Sequence, residues 1–276
     1  MTPDPLLAAA VAGVLAALGG LLVPRVIARL PEPQPEPDAE ADQEPDTAAD
    51  SGADLGADLG SERDTPLPPP APRSLAPPVP PKIPYAELAS RPRLALWCAF
   101  ASGLIGAALG ASRGWRPDLP VWVFLSVLGV ALSYVDWRTR LLPARLVAPS
   151  YGVVGGLLAI AGGLTWSDGG REALVRAALC WVVVFAIFFA LWFVYPRGLG
   201  YGDVRLSGVL GMALGWLGLS SVVVGIYAGF LLGALIGGVL ALAKVVDRKG
   251  YPFGPFMLVG LFLGALHAGG DLTFWT

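Results

Sequence analysis

The sequence predicts an all-α polytopic membrane protein with about eight transmembrane helices. Three observations carry this. Of the 276 residues, 55% are hydrophobic and only 14% charged, against about 25% charged in a soluble globular domain. The apolar residues gather in runs approaching the roughly 20 residues that carry a helix across a hydrocarbon core. Lys and Arg are also distributed unevenly between alternate loops, as the positive-inside rule requires of a multi-pass chain.

The first run is Leu6 to Val23. No Lys or Arg precedes it, whereas a secretory signal peptide carries a basic N-terminal region. Residues 1–30 therefore read as a retained first transmembrane helix, with a cleaved segment as the alternative. Residues 31–84 read as a cytoplasmic linker. They hold 15 of the 26 prolines, and 12 of the 21 acidic residues fall between Glu32 and Asp64. Such a composition buries too little apolar surface to offset its ordering entropy, so disorder is expected. The Pro-x-x-Pro spacings fit a solvated tether more simply than a partner-recruiting segment. Residues 85–276 hold the remaining seven runs: Leu94 to Ala111, Val121 to Val135, Leu146 to Leu164, Ala173 to Val194, Val204 to Leu217, Leu219 to Ala243 and Phe256 to Ala268. The division at Gly218 rests on that glycine alone.

With eight spans, one set of loops holds twelve Lys and Arg residues without counting the linker, from Arg25 and Arg29 to Lys244, Arg248 and Lys249. The opposite set holds only Arg113, Arg116, Arg171 and Arg176. Both termini are then external, and the linker faces the cytoplasm.

Two carboxylates stand out. Asp136 ends the run that closes with Leu132-Ser133-Tyr134-Val135, and Asp203 opens the run after Gly198-Leu199-Gly200-Tyr201-Gly202. An ionisable group at the edge of a membrane span is costly and points to function. Two spans separate this pair, so topology returns Asp203 to the cytoplasmic face where Asp136 sits. Asp136 falls at the C-terminal end of its helix, where the dipole disfavours negative charge. Asp203 falls at an N-terminal start, where free N–H groups favour it. Two carboxylates in one site repel and share a proton.

Gly200 and Gly202 carry no Cβ, so a substrate backbone could approach them and pair as an added strand. The competing reading is a plain turn with a capping Asp. Pro252, Gly254 and Pro255, in Tyr251-Pro252-Phe253-Gly254-Pro255-Phe256, break regular helix ahead of the last span and could shape a cavity wall, or simply form a rigid turn. Arg138, Arg140, Arg145 and Arg205 could form a basic rim around the pair, but positive-inside topology explains them as well. Cys98 and Cys180 lie inside apolar runs and form no Cys-x-x-Cys, and His267 is the only histidine. No metal site is expected, and no nucleic acid partner.

Three stretches together resemble the bacterial type IV prepilin peptidases. Val135-Asp136-Trp137-Arg138-Thr139-Arg140-Leu141-Leu142-Pro143 is similar to that family's first aspartate motif. Gly200-Tyr201-Gly202-Asp203-Val204-Arg205-Leu206 is similar to the Gly-x-Gly-Asp motif of intramembrane aspartic proteases. Pro252-Phe253-Gly254-Pro255-Phe256 is similar to the family's segment before the last span. Residues 83–88 are similar to the stretch before its second span. The order of the motifs is the family's, and the resemblance covers roughly residues 83 to 268. It implies an intramembrane aspartyl endopeptidase of the bacterial inner membrane, with Asp136 and Asp203 as catalytic dyad. It also implies cleavage of the leader from prepilin-like substrates, type IV pilins or pseudopilins, at the cytoplasmic face of the lipid bilayer. Proteolysis of this kind requires no cofactor. Many members also methylate the new N-terminus with S-adenosylmethionine.

The chain departs from larger members at the segment after the first span. There they carry two Cys-x-x-Cys pairs that read as a zinc module, and this chain has the cysteine-free linker. No zinc is expected, and methylation becomes a separate question. The presenilin-like proteases share Gly-x-Gly-Asp but end in a Pro-Ala-Leu motif that this chain lacks. Two other readings compete: an ion- or proton-coupled transporter using the Asp pair, and a non-catalytic pilus or secretion assembly protein acting through its linker. The transporter should show two related halves with interrupted helices, and no such repeat is visible.

Overall fold

The computed structural model describes residues 4–31, 84–196, 198–242 and 252–269. The expected linker thus lies, at 32–83, outside the described residues, as do Arg197, Lys244, Arg248, Lys249 and Tyr251. Among the described residues there is no strand.

Each of the eight apolar runs is a helix. They are α1 (Pro5–Ala28), α3 (Leu94–Arg113), α4 (Leu119–Thr139), α5 (Ala144–Leu164), α6 (Gly170–Val194), α7 (Tyr201–Leu217), α8 (Leu219–Leu242) and α9 (Gly254–Gly269). A short helix, α2 (Tyr85–Ala89), precedes α3, and a 3-10 turn at Trp166–Asp168 precedes α6. Neither short element was legible as an apolar run. Six helices, α1, α3, α4, α5, α6 and α8, are long and apolar enough to cross a membrane. The chain is thus an all-α polytopic membrane protein. The remaining two, α7 and α9, are shorter, at 17 and 16 residues.

The helix ends follow local chemistry. Asp4 accepts the Leu6 N–H at 2.9 Å and Pro5 opens α1, because proline's missing donor costs nothing in a first turn. Gly218, at φ +150°, separates α7 from α8, a conformation that L side chains rarely adopt. One boundary departs from expectation. Pro252, Gly254 and Pro255 were expected to exclude regular helix, yet α9 begins at Gly254. Pro255 falls within the first turn, where its absent N–H leaves no bond unmade.

Packing depends on small residues, because lipid supplies no hydrophobic drive between helices and close backbone approach must replace it. The buried stripe Ala8, Ala12, Ala16 and Gly20 of α1 meets Cys98, Ala99, Gly106 and Gly110 of α3. A Cβ added at Gly106 would lie 2.7 Å from the Ala16 Cβ and 2.8 Å from the Ala12 carbonyl oxygen. Through this contact the first helix joins residues 84 onward in one compact unit. Gly211 and Gly215 of α7 likewise admit α6 at Cys180 and Ala177. The Gly225 to Gly229 pair serves packing within the chain, with Gly225 against the Gly260 carbonyl of α9.

Two positions matter for the site. Helix α7 is the central column, in contact with α5, α6, α8 and α9, and nearly every residue from Asp203 to Trp216 is buried. Helix α9 packs against α3, α4, α7 and α8, so it joins the helix ending in Asp136 to the helix opening with Asp203.

The α1–α3 seam yields a prediction. Gly106→Val should destabilise the bundle by about 1–3 kcal/mol, because its nearest neighbours include backbone that cannot move aside. The check is the midpoint of unfolding of the purified protein in mixed micelles, with Gly152→Ala, which meets nothing within 4 Å, as the neutral comparison.

Candidate active site

The site is built where α4 ends, α7 begins and α9 begins. Asp136 lies in the last turn of α4 and is 4% exposed, and Asp203 lies in the first turn of α7 and is 8% exposed. The Gly254 N–H donates to Asp136 Oδ2 at 3.0 Å across 118 residues of sequence. Gly254 is the first residue of α9, so its N–H is one of the donors that a helix leaves unsatisfied. The Gly200 N–H donates to Asp203 Oδ2 at 3.2 Å, which also closes the first turn of α7.

Both carboxylates therefore stand at helix N-termini. Asp203 does so on its own helix, as the sequence implied. Asp136 sits at the unfavourable end of α4 but faces the favourable end of α9, which supplies the donor and the partial positive charge that α4 cannot. The other oxygen of each carboxylate has no protein donor among the described residues.

The loop after Asp136 explains its motif. The Arg140 N–H donates to the Asp136 carbonyl at 2.7 Å, and Arg140 takes φ +55°, a left-handed turn that stops the helix. Thr139 Oγ1 donates to the Val135 carbonyl at 2.8 Å and accepts the Leu141 N–H at 3.3 Å. Pro143 then opens α5. This reversal carries Leu142 between the two carboxylate-bearing segments. A Cβ at Gly202 would meet Leu142 Cβ at 2.8 Å, and one at Gly254 would meet Leu142 Cδ1 at 3.4 Å and Asp136 Oδ2 at 2.8 Å.

That contact gives two of the glycines a packing role within the chain. On the side where a Cβ would project from Gly202 and Gly254 lies this chain's own Leu142. At Gly200 the nearest atom to an added Cβ is Asp203 Oδ2 at 3.2 Å. Pro252 is half-buried before α9 and Pro255 half-buried in its first turn. Phe253, between them, meets Phe230 in a tilted ring pair with centroids 5.3 Å apart, and Phe230 meets Phe188 likewise at 5.3 Å, so aromatic contacts with α8 and α6 hold the start of α9.

Leu142 and Tyr151 were passed over in the sequence. Leu142 is detectable only as the partner that Gly202 and Gly254 make room for. The Tyr151 hydroxyl donates to the Arg205 carbonyl at 2.5 Å and ties α5 to the first turns of α7. No arginine forms an ion pair with either aspartate among the described residues. Arg205 instead stacks on Tyr201 at 4.6 Å, and Arg138 on Tyr134 at 6.0 Å. Among the described residues no group of three or more His, Cys, Asp or Glu could hold a metal ion. Cys98 and Cys180 are buried in α3 and α6.

The fold and the site together define a polytopic α-helical membrane protein with a pair of buried aspartates held by backbone N–H groups at one end of its bundle. Residues 122–242, which include both aspartates, match the model of the type IV leader peptidase family. The chain is similar to prepilin leader peptidase/N-methyltransferases of known sequence. That of Aeromonas hydrophila is 30% identical over 178 residues, covering 62% of this chain and 56% of the relative. That of Pectobacterium carotovorum subsp. carotovorum is 31% identical over 176 residues, covering 60% and 58%. That of Burkholderia pseudomallei strain 1026b is 30% identical over 204 residues, covering 68% and 56%. The chain thus spans a little over half the length of these relatives. No solved structure matches it.

Leu142→Ala should leave the turn and the starts of α7 and α9 without their shared contact. We expect a loss of about 2 kcal/mol, at the low end for leucine truncation because Leu142 is half-buried. Thermal unfolding of the variant beside wild type measures it.

Proposed function

We propose that the chain is an intramembrane aspartyl endopeptidase that removes the leader peptide from prepilin-like precursors, type IV pilins or pseudopilins. The observation that supports this most is the pairing itself. Asp136 and Asp203, 67 positions apart in sequence, each accept one backbone N–H on one oxygen, with no donor to the other among the described residues, on segments joined through Leu142. Fixed donors hold the carboxylates in place without neutralising them, which leaves each able to exchange a proton with a bound molecule.

In this reading the ionised member of the pair takes a proton from a water molecule, and the water oxygen adds to the scissile carbonyl carbon. The protonated member gives its proton to the carbonyl oxygen. When the tetrahedral gem-diol collapses, the C–N bond breaks, the amine takes the proton first drawn from water, and one hydroxyl proton passes to the other carboxylate, which restores the pair. Fixed N–H groups favour this chemistry because they need no reorganisation as charge moves. Gly200 and Gly202 on one side, and Pro252, Gly254 and Pro255 on the other, would line the approach of the substrate backbone. With eight spans, counting the short α7 and α9, the pair would face the cytoplasm across the bacterial inner membrane, a reading supported by the Arg and Lys distribution. The relatives' second activity, N-methylation, would draw its methyl group from S-adenosylmethionine as a consumed substrate.

The test is cleavage of a prepilin-like substrate by the detergent-purified full chain. Asp136→Asn and Asp203→Asn should each lower the rate at least ~10³-fold while folding as wild type, because Asn keeps the shape but cannot carry the proton. Normal cleavage by either variant would rule out the aspartyl mechanism and reopen the transporter reading. The mass of the product's N-terminus, with and without S-adenosylmethionine, reads methylation.

Gly254→Ala should lower cleavage by about 10–100-fold with little loss of fold. The added methyl would meet Asp136 Oδ2 at 2.8 Å and displace the carboxylate from its donor, and small misplacements of a reacting group are costly. Gly152→Ala, in open space, should cleave at the wild-type rate in the same assay.

A further inference from the structure

About 27 Å along α4 from Asp136, at the other end of the bundle, lies a second built feature that the peptidase reading does not use. A polar cavity of about 310 Å³ opens between the α3–α4 turn, the Thr165–Gly170 turn and the C-terminus of α7. Three arginines line it: Arg113, Arg116 and Arg176.

The first and third are fixed by the fold. Arg113 and Asp118 form a buried pair, with side chains 3% and 2% exposed and a 2.6 Å contact from Nη2 to Oδ2. The same Oδ2 accepts Arg113 Nε at 3.1 Å and Trp122 Nε1 at 2.8 Å, so that oxygen is saturated. Arg176 donates Nε to the Gly215 carbonyl and Nη2 to the Trp216 carbonyl, both at 2.8 Å, which satisfies carbonyls that the end of α7 leaves without a helical partner. Each of these guanidiniums keeps an Nη1 with no acceptor among the described residues. Arg116 is freer still: its side chain is 64% exposed and only 3.7 Å from Asp118 Oδ1.

The rest of the wall adds to the positive character. Gly169 and Gly170 open α6 in the cavity wall, and the first N–H groups of a helix carry partial positive charge. Asp168 is the other lining carboxylate, with Glu172 beside the start of α6. Trp115 and Trp166 are exposed on the two turns that frame the cavity, and Trp216 lines it. Tryptophan collects at the depth of lipid headgroups, so the mouth of the cavity lies level with a layer of phosphates.

We propose that this cavity binds a phosphate group, that of an anionic phospholipid in the leaflet opposite the aspartate pair. Arg116 and the spare Nη1 groups of Arg113 and Arg176 converge on it. Guanidinium suits this ligand because its planar set of donors matches phosphate oxygens. A bound phosphate would join α3, α4, α6 and α7 at the end where Arg176 already ties α6 to α7.

Ligand-induced thermal shift and native mass spectrometry of the full chain in detergent test this, with phosphatidylglycerol, phosphatidylcholine and inorganic phosphate as probes. Arg116→Gln removes the exposed contributor without touching the two arginines that hold helix ends. Arg25→Gln removes the same charge at the far end of the bundle. Wild type should retain phosphatidylglycerol about tenfold better than phosphatidylcholine, and Arg116→Gln should lose about tenfold while Arg25→Gln does not. Stabilisation by phosphatidylglycerol where inorganic phosphate has no effect assigns the site to lipid. Inorganic phosphate acting alone on wild type but not on Arg116→Gln supports the phosphate site and overturns its assignment to lipid. Equal retention of the two lipids with no phosphate effect, or equal losses in both variants, overturns the proposal.

Discussion

The hydrogen bond from the Gly254 N–H to Asp136 is the contact on which the site depends. It sets the last described helix against the end of the fourth and brings a helix N-terminus to a carboxylate placed at a helix C-terminus. Without it, Asp136 would be a buried charge in an apolar bundle facing an array of carbonyls, an arrangement that is expensive in any low-dielectric setting. Around it, Leu142 fills the gap between α7 and α9, and the Phe188–Phe230–Phe253 ring contacts anchor the start of α9 from behind. The site is rigid because its carboxylates are tied to backbone, and backbone here is held by close helix packing.

The two ends of the bundle solve the same problem with different residue types. At one end, carboxylates are balanced by backbone N–H groups, which leaves their charge available. At the other, Asp118 is balanced by a guanidinium and an indole, and the carbonyls ending α7 are balanced by Arg176. An ion pair fixes structure and removes charge, whereas a dipole fixes structure and leaves the charge in place. That contrast separates a carboxylate disposed for proton transfer from one disposed for architecture, although all three aspartates are similarly buried.

Much of this was legible in the sequence, for identifiable reasons. Apolar runs in a membrane protein report helices directly, and all eight became helices. The pair of aspartates stood out because charge in such runs is rare. The donor to Asp136 could not be read, since a backbone N–H has no residue signature and the partner lies 118 positions away. Glycine was ambiguous in the same way: Gly202 and Gly254 announce a close approach but not by what, and the neighbour proved to be Leu142. The helix α2 was invisible because its five residues give no period. Pro255 was misread because proline's effect depends on its place in the turn, and a first-turn proline starts a helix.

The wide separation of Asp136 from its donor also orders the protein's own assembly. As the chain emerges from the ribosome, α4 reaches the membrane well before α9 has been synthesised. Until α9 docks, Asp136 lacks its N–H, Leu142 lacks one of its two neighbours, and α7 has an open flank. The pair of carboxylates is therefore completed only once α9 has been made, and a chain synthesised no further than α7 has no finished site.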